Sequence, residues 1–170
     1  YTTPATVSSD NGSTYSCVVS NSAGSAASNN ATLTVTDVII TGTISLERWN
    51  NISGTSIANL TSNANYPNNP SYSGILTSFE LPVNAYDNYG VRVRGYIVPP
   101  ATGSYTFWIA SDDNGELWLS TSDNPSSKAR IATVNSWTNS REWTRETNQR
   151  SAAVNLVKGQ KYYVEALMKE

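Results

Sequence analysis

"RVRGYIVPPATGSYTFWIASDDNGELWLS", residues 92–120, is the stretch whose reading decides the fold. It holds three β-type runs separated by Pro, Gly, Asn and Asp. In "SYTFWIA" the apolar residues recur at every second position, so Tyr105, Phe107 and Ile109 share one face of a strand. Leu117 and Leu119 of "ELWLS" alternate in the same way. Asp-Asn-Gly between two such runs is a hairpin signal, because Asn and Gly tolerate positive φ. The expected arrangement is therefore a ladder joined at 112–115, with Leu117 and Leu119 meeting Phe107 and Ile109 across it. A turn needs one Asx residue at most, so the second aspartate is unexplained. Two unit charges about 4 Å apart repel by roughly 4 kcal/mol at an effective dielectric near 20. Consecutive strand residues also point to opposite faces, so Asp112 and Asp113 could converge on one ion only through a bent or cis peptide.

Outward from this stretch the same texture continues. Short β-type runs are expected near 14–20, 31–36, 43–49, 75–81, 89–98, 104–110, 116–121, 128–134, 151–157 and 161–168. One helical turn is expected at 55–61, where Ile57 and Leu60 are three apart. "SNANYPNNPSYS" (62–73) and "NSWTNSREWTRETNQR" (135–150) read as loops. The fold class is all-β.

The composition excludes several functions. The chain of 170 residues has a net charge of −2, which offers nothing to nucleic acid or an anionic membrane. No apolar run approaches the roughly 20 residues that span a bilayer, so no direct membrane insertion is expected. There is no histidine, which removes Ser-His-Asp and Cys-His catalysis and His-ligated zinc. The single cysteine, Cys17, cannot form a disulfide within the chain. The Ser, Thr and Asn content resembles that of an extracellular protein. Asn-x-Ser/Thr triplets begin at Asn11, Asn30, Asn51 and Asn59 and matter only where the source glycosylates them.

The first segment, "SSDNGSTYSCVVSNSAGSAASNNATLTV", resembles the last strands of a bacterial immunoglobulin-like domain. Tyr15 lies two residues before Cys17, as in a tyrosine corner, and "SNSAG" (20–24) reads as a hairpin turn. One extra residue between Gly12 and Tyr15 departs from the usual spacing. The resemblance implies that residues 1–37 are the C-terminal part of such a domain, and a hairpin alone is marginal in water. Cys17 would then pair with an upstream cysteine or sit as a buried thiol. Residues 38–42 form a short linker in which Val38, Ile39 and Ile40 suggest a packed joint, since flexible tethers are Gly/Ser-rich.

From about 43 to 170 the sequence resembles the PA-fourteen domain, a β-sandwich named after a region of anthrax protective antigen. The residues that carry the likeness run in order. They are Arg94, Gly95 and Tyr96, then Pro99, Pro100 and Gly103, then Tyr105, Phe107, Asp112, Asp113, Leu117 and Leu119. "GQKYYVEALMKE" at the end fits the family's Gly-x-x-Tyr strand. The family continues with a loop and a closing strand, so the resemblance implies a domain truncated at Glu170. In sugar-binding members an Asp-Asp pair on a cis peptide grips calcium, and sugar hydroxyls complete the shell. Carried over, this makes Asp112 and Asp113 metal ligands. Oxygen-only ligation suits calcium, although the spacing fits no EF-hand loop.

The remaining candidates are aromatic. Trp108 and Trp118 fall on the face opposite Phe107 and Leu117. They read as second-face core in preference to a sugar-stacking platform. Trp137 and Trp143 stand in a polar loop beside Arg141, Glu142, Arg145 and Glu146. They could line a ligand edge or a domain contact, and the plainer reading is a loop pinned down by its tryptophans. Neighbouring carboxylates are poorly placed to flank a glycosidic bond, which needs groups about 5–9.5 Å apart, so no enzyme is expected. The expected function is calcium-dependent glycan binding in a module of a bacterial secreted or cell-surface protein, such as an adhesin. The alternative is a structural module joining domains or subunits of an extracellular assembly, with no sugar binding.

Overall fold

The computed structural model describes residue 6, residues 10–35 and residues 42–170. It separates into two compact units, Tyr1–Thr41 and Gly42–Glu170. The joint at 36–42 that the apolar linker residues suggested lies almost wholly outside the described residues.

In the first unit, β1 (Thr14–Tyr15) pairs with β4 (Ala31–Thr32), and β2 (Val18–Asn21) forms a hairpin with β3 (Gly24–Ala27). The expected 14–20 strand is thus split, and "SNSAG" does make the turn. Asn21 Oδ1 closes that turn by accepting from the Ala23 N–H. All four strands are exposed, and so are Tyr15, Val18 and Val19. Cys17 is a free, exposed thiol, not a buried one. Among the described residues the Tyr15 phenol makes no hydrogen bond, so the tyrosine-corner contact is not formed here.

The second unit is a β-sandwich of unequal layers. Its main layer is a six-stranded antiparallel sheet in the order β10-β9-β12-β7-β5-β6. The strands are β5 (Ile44–Asn50), β6 (Tyr72–Leu76), β7 (Tyr89–Ile97), β9 (Asn114–Ser120), β10 (Lys128–Val134) and β12 (Tyr162–Lys169). Facing it, β8 (Gly103–Tyr105) pairs with β11 (Val154–Leu156), and a bridge between Trp108 and Arg150 prolongs that ladder. The inner face carries the alternating apolar residues that the sequence pattern foretold. Ile109, Leu117, Leu119, Val134, Leu156 and Val164 form one buried cluster, with Phe107 and Tyr105 against it. Tyr89, Val91 and Val93 form a second.

The outer face of the sheet is held differently. α1 (Ile57–Thr61) is capped by Ser56, whose hydroxyl accepts from the Asn59 N–H, and its Leu60 is fully buried. Trp49, Ile52 and Leu60 form a third cluster there. Gly90 permits this packing, because a Cβ at that position would come within 2.6 Å of Leu60. One expected strand was misplaced: β6 begins at Tyr72, inside the Asn- and Pro-rich stretch. Tyr72 pairs with Arg48 and Leu76 with Ile44, so pairing with β5 overrides a local composition that favours loop.

The hairpin reading of Asp-Asn-Gly is overturned. β9 is flanked by β10 and β12, so neither edge is open to β8. Asn114 and Gly115 have ordinary negative φ and are the first residues of β9, opposite Lys169 and Met168. Phe107 and Ile109 do meet Leu117 and Leu119, but across the sandwich and not across a ladder. Gly115 is required for close approach: a Cβ there would stand 2.6 Å from that of Ser111.

Candidate functional site

Residues 112–113 cross from the short layer to the large sheet. The Asp112–Asp113 peptide is cis. The Asp113 N–H donates to the carbonyl of Lys169 (3.0 Å), which ties the crossing to the end of β12. Asp112 is exposed and Asp113 is half-buried. Burial, and then the charge of Asp112, hold the Asp113 carboxyl above its ordinary value, while Lys169 opposes the shift. The Lys169 side chain is fully buried, and its ammonium donates to the Glu170 carbonyl. Burial lowers its pKa against the pull of Asp113 and Glu170.

Glu170 belongs to the same end of the molecule, because β12 runs antiparallel to both β9 and β7. Its backbone N–H and C=O pair with those of Tyr89. Burial, followed by the charges of Asp112, Asp87 and Asp113, raises its carboxyl. Burial and Glu170 push the Tyr89 phenol up to about 12. This site is therefore a region of like negative charge relieved by one buried lysine. The acids do not form a cage. Among the described residues no three His, Cys, Asp or Glu side chains stand in metal-ligand geometry.

The loop 135–150 walls one side of the site. The backbone N–H of Thr138 donates to the Ser111 carbonyl (2.8 Å), and its hydroxyl accepts from the Ser111 N–H (3.0 Å). Gln149, fully buried, donates through its amide to the carbonyl of Ile109. The Glu146 carboxylate accepts from the backbone N–H groups of Asn135 and Ser136. Arg141 reaches Glu80 with two bonds of 3.0 and 2.7 Å. The loop is thus pinned by Thr138, Gln149 and Glu146. Trp137 and Trp143 remain 40% and 45% exposed, so they do not pin it. Both line a cavity of about 610 Å³ that Trp108, Asp112 and Glu170 also line.

Four expected site residues therefore gather at one cavity: Asp112, Asp113 beside it, Trp137 and Trp143. Trp118 does not join them. It lies on the outer face of β9, half-buried, with its indole N–H donating to Glu116 and Lys128 over its ring. Trp108 lines the cavity, is exposed, and is bridged to Arg150. Neither is core, and they belong to different layers. Sequence reasoning missed Glu170, Lys169 and Tyr89, because only the β12 register brings them to the Asp pair.

The sequence model of the PA14 domain matches residues 54–169. This chain belongs to the PA14 domain family. It is 31% identical over 133 residues to the mouse N-acetyl-beta-glucosaminyl-glycoprotein 4-beta-N-acetylgalactosaminyltransferase 1, covering 76% of this chain and 13% of that protein. It is 33% identical over 84 residues to mouse fibrocystin-L and 33% over 111 residues to mouse fibrocystin, covering 49% and 59% of this chain. The chain spans only 2% of each fibrocystin. These relatives are animal proteins and lend no support to a bacterial parent, an adhesin or an immunoglobulin-like neighbour. The chain is a PA14 module of a kind that occurs in multidomain proteins, and it fits a carbohydrate-binding or structural role. Among the described residues no helix is long and apolar enough to cross a membrane.

Proposed function

We propose that this PA14 module binds glycans through calcium held at Asp112 and Asp113. The observation that carries the reading is the pair of adjacent, incompletely balanced carboxylates, one of which, Asp112, lines a cavity that Trp137 and Trp143 also line. A hard divalent cation with 6–8 oxygen ligands would relieve that repulsion. The donor set fits such an ion in chemistry, since every acid near it offers oxygen. It fits only in part in number, so carbonyls, water and sugar hydroxyls must supply the rest. When bound, the ion would give vicinal hydroxyls a point of attachment. This chain's own residues would do the remainder: Asp112 and Asp113 hold the ion, and Trp137 and Trp143 offer apolar faces to the sugar ring. The module itself performs no catalysis on this reading. One relative carries the name of a sugar transferase acting on glycoproteins, a setting that a sugar-binding module suits. A secreted or cell-surface location follows from the same reading.

The second reading is a structural module that joins domains or subunits and binds no sugar. It is favoured by the absence of a third liganding acid among the described residues and by the apolar cavity. A glycan array run with calcium and with chelator separates the two. Binding that needs calcium and is lost in Asp113→Asn supports the lectin. An array silent in both conditions sinks it.

A further inference from the structure

The outer face of the large sheet gathers aromatic and cationic side chains at the end away from Gly90, where α1 packs. The ladder sets Arg130 of β10 opposite Trp118 of β9, Trp118 opposite Glu165 of β12, and Glu165 opposite Arg94 of β7. Two residues along, Lys128 is opposite Ser120, and Tyr163 is opposite Tyr96. The charges on this face are layered. The side chains of Glu47, Glu116 and Glu165 are 14%, 16% and 3% exposed, whereas their partners Arg94, Arg130 and Lys128 are 41%, 52% and 31% exposed. Glu47 is shared with Arg92, and the exposed Lys161 makes no ion pair with a described residue. Arg92, Arg94, Lys128, Arg130 and Lys161 thus outnumber Glu47, Glu116 and Glu165, and the cations stand outermost. Arg94 reaches its carboxylate through Nη2 and Arg130 through Nη1, so neither guanidinium fork is used up. Tyr96 is 54% exposed, with its ring edge-on to Tyr163 and the Lys161 ammonium 6.0 Å from its centroid. Trp118 is half-buried, with Lys128 5.7 Å from its ring.

We infer that this face binds an acidic polysaccharide whose sugar rings carry carboxylates. The charge arrangement selects an anion: a locally positive surface stands on a chain of net charge −2, with its own acids withdrawn beneath the cations. Planar guanidinium forks suit carboxylates, which they can hold with paired hydrogen bonds. The aromatic rings select a sugar among anions, because a pyranose offers Tyr96 and Trp118 an apolar ring face while its carboxylate reaches a cation. An acidic peptide would meet the same charges but bring no such face to the rings. A single-stranded nucleic acid could stack, but it carries a charge on every unit and a chain of net charge −2 repels it. The ligand is a polymer and not one sugar, since Arg130 and Arg94 stand three strand spacings apart, about 14 Å. It would cross the strands from β10 to β7. The cavity and the Asp112–Asp113 pair take no part, so this binding needs no calcium.

The test titrates the 170-residue protein with a hexamer of galacturonic acid, with chelator present so that no calcium site contributes. Calorimetry should show binding that weakens as salt is added. The methyl-esterified hexamer keeps the sugar rings and loses the charge, and it should bind at least tenfold more weakly. Lys161→Gln and Tyr96→Ala change exposed side chains that hold no ion pair. Each should weaken binding at least threefold while circular dichroism and the melting temperature stay unchanged. Arg141→Gln removes an exposed arginine that lines the cavity on the inner side of the sheet, and it should bind like the parent. Four results would overturn the inference. One is no binding of the acidic hexamer at millimolar concentration. Another is equal binding of the esterified hexamer, which means stacking without charge recognition. A third is equal binding of polyglutamate or of a DNA oligonucleotide, which means attraction of any polyanion. The last is a loss in Arg141→Gln as large as that in Lys161→Gln, or no loss in either outer-face variant.

Discussion

At the scale of single residues, Asp113 is the position where charge and burial disagree most clearly. Its carboxyl titrates above the ordinary value because burial and Asp112 disfavour the charged form. Over the window above the ordinary carboxylate pKa the folded state binds more protons than the unfolded one. Stability therefore falls as pH rises through that window, and the penalty persists at neutral pH. Asp113→Asn should melt at a higher temperature than the parent at pH 7 without calcium, and the gain should vanish below about pH 3.5, near the unfolded carboxylate value. Thermal melts across pH check this, and a destabilised Asn variant at pH 7 would refute it. Gly115 tests packing in place of charge. Gly115→Ala drives a methyl to within 2.6 Å of the Ser111 Cβ and 3.1 Å of the Ile109 side chain. It should cost about 1–3 kcal/mol in urea unfolding, the usual range for overpacking. The need for glycine at 115 was legible from the sequence. The reason was not, since φ there is ordinary and the constraint comes from a different layer.

At the scale of elements, the outer face of the large sheet depends on ion pairs between neighbouring strands. Glu47 of β5 accepts from Arg92 (2.6 Å) and Arg94 (2.9 Å) of β7. Glu165 of β12 pairs with Lys128 and accepts from the Tyr163 phenol (2.6 Å). Burial pushes the Glu47 carboxyl up, but the hydrogen bond and charge of Arg92, with Arg94, outweigh it and leave the pKa below ordinary. A depressed carboxylate contributes stability above its unfolded pKa, and that contribution is lost as pH falls through the folded value. Glu47 and Asp113 thus have opposite pH signatures in one domain. Glu47→Ala leaves Arg92 largely buried without its carboxylate partner, holding only the Pro67 carbonyl and the Trp49 and Tyr66 rings, and should cost about 3 kcal/mol. Chemical unfolding of Glu47→Ala, Arg92→Ala and the double variant would measure it. A double variant no worse than either single variant is expected, and strict additivity would show that the pair is not coupled.

At the scale of the whole molecule, calcium should act on stability as well as on sugar. A site with a Kd of about 10⁻⁴–10⁻³ M, typical of extracellular modules, gains about 1.4–2.7 kcal/mol in 10 mM calcium. For a domain of this size that is a rise in Tm of roughly 3–10 °C. Magnesium should give much less, because it demands near-octahedral geometry and sheds water reluctantly. Scanning calorimetry of the parent and of Asp112→Asn decides it, and an unchanged Tm in the parent removes the metal from the proposal.

The sequence by itself determined the all-β class, most strand positions and the alternation that selects the core face. Those are local properties: side chains alternate every residue along a strand whatever the strand later pairs with. It also marked Asp112 and Asp113, since two adjacent acids are anomalous without any structure. Only the tertiary structure decided that "DDNG" is a crossing between layers and not a hairpin, because pairing depends on which strands flank β9, and the β12 partner Lys169 of Asn114 lies 55 residues away in sequence. The same holds for Lys169, Glu170 and Tyr89. Nothing local distinguishes them, and they reach the Asp pair only through the antiparallel register of β12 with β9 and β7.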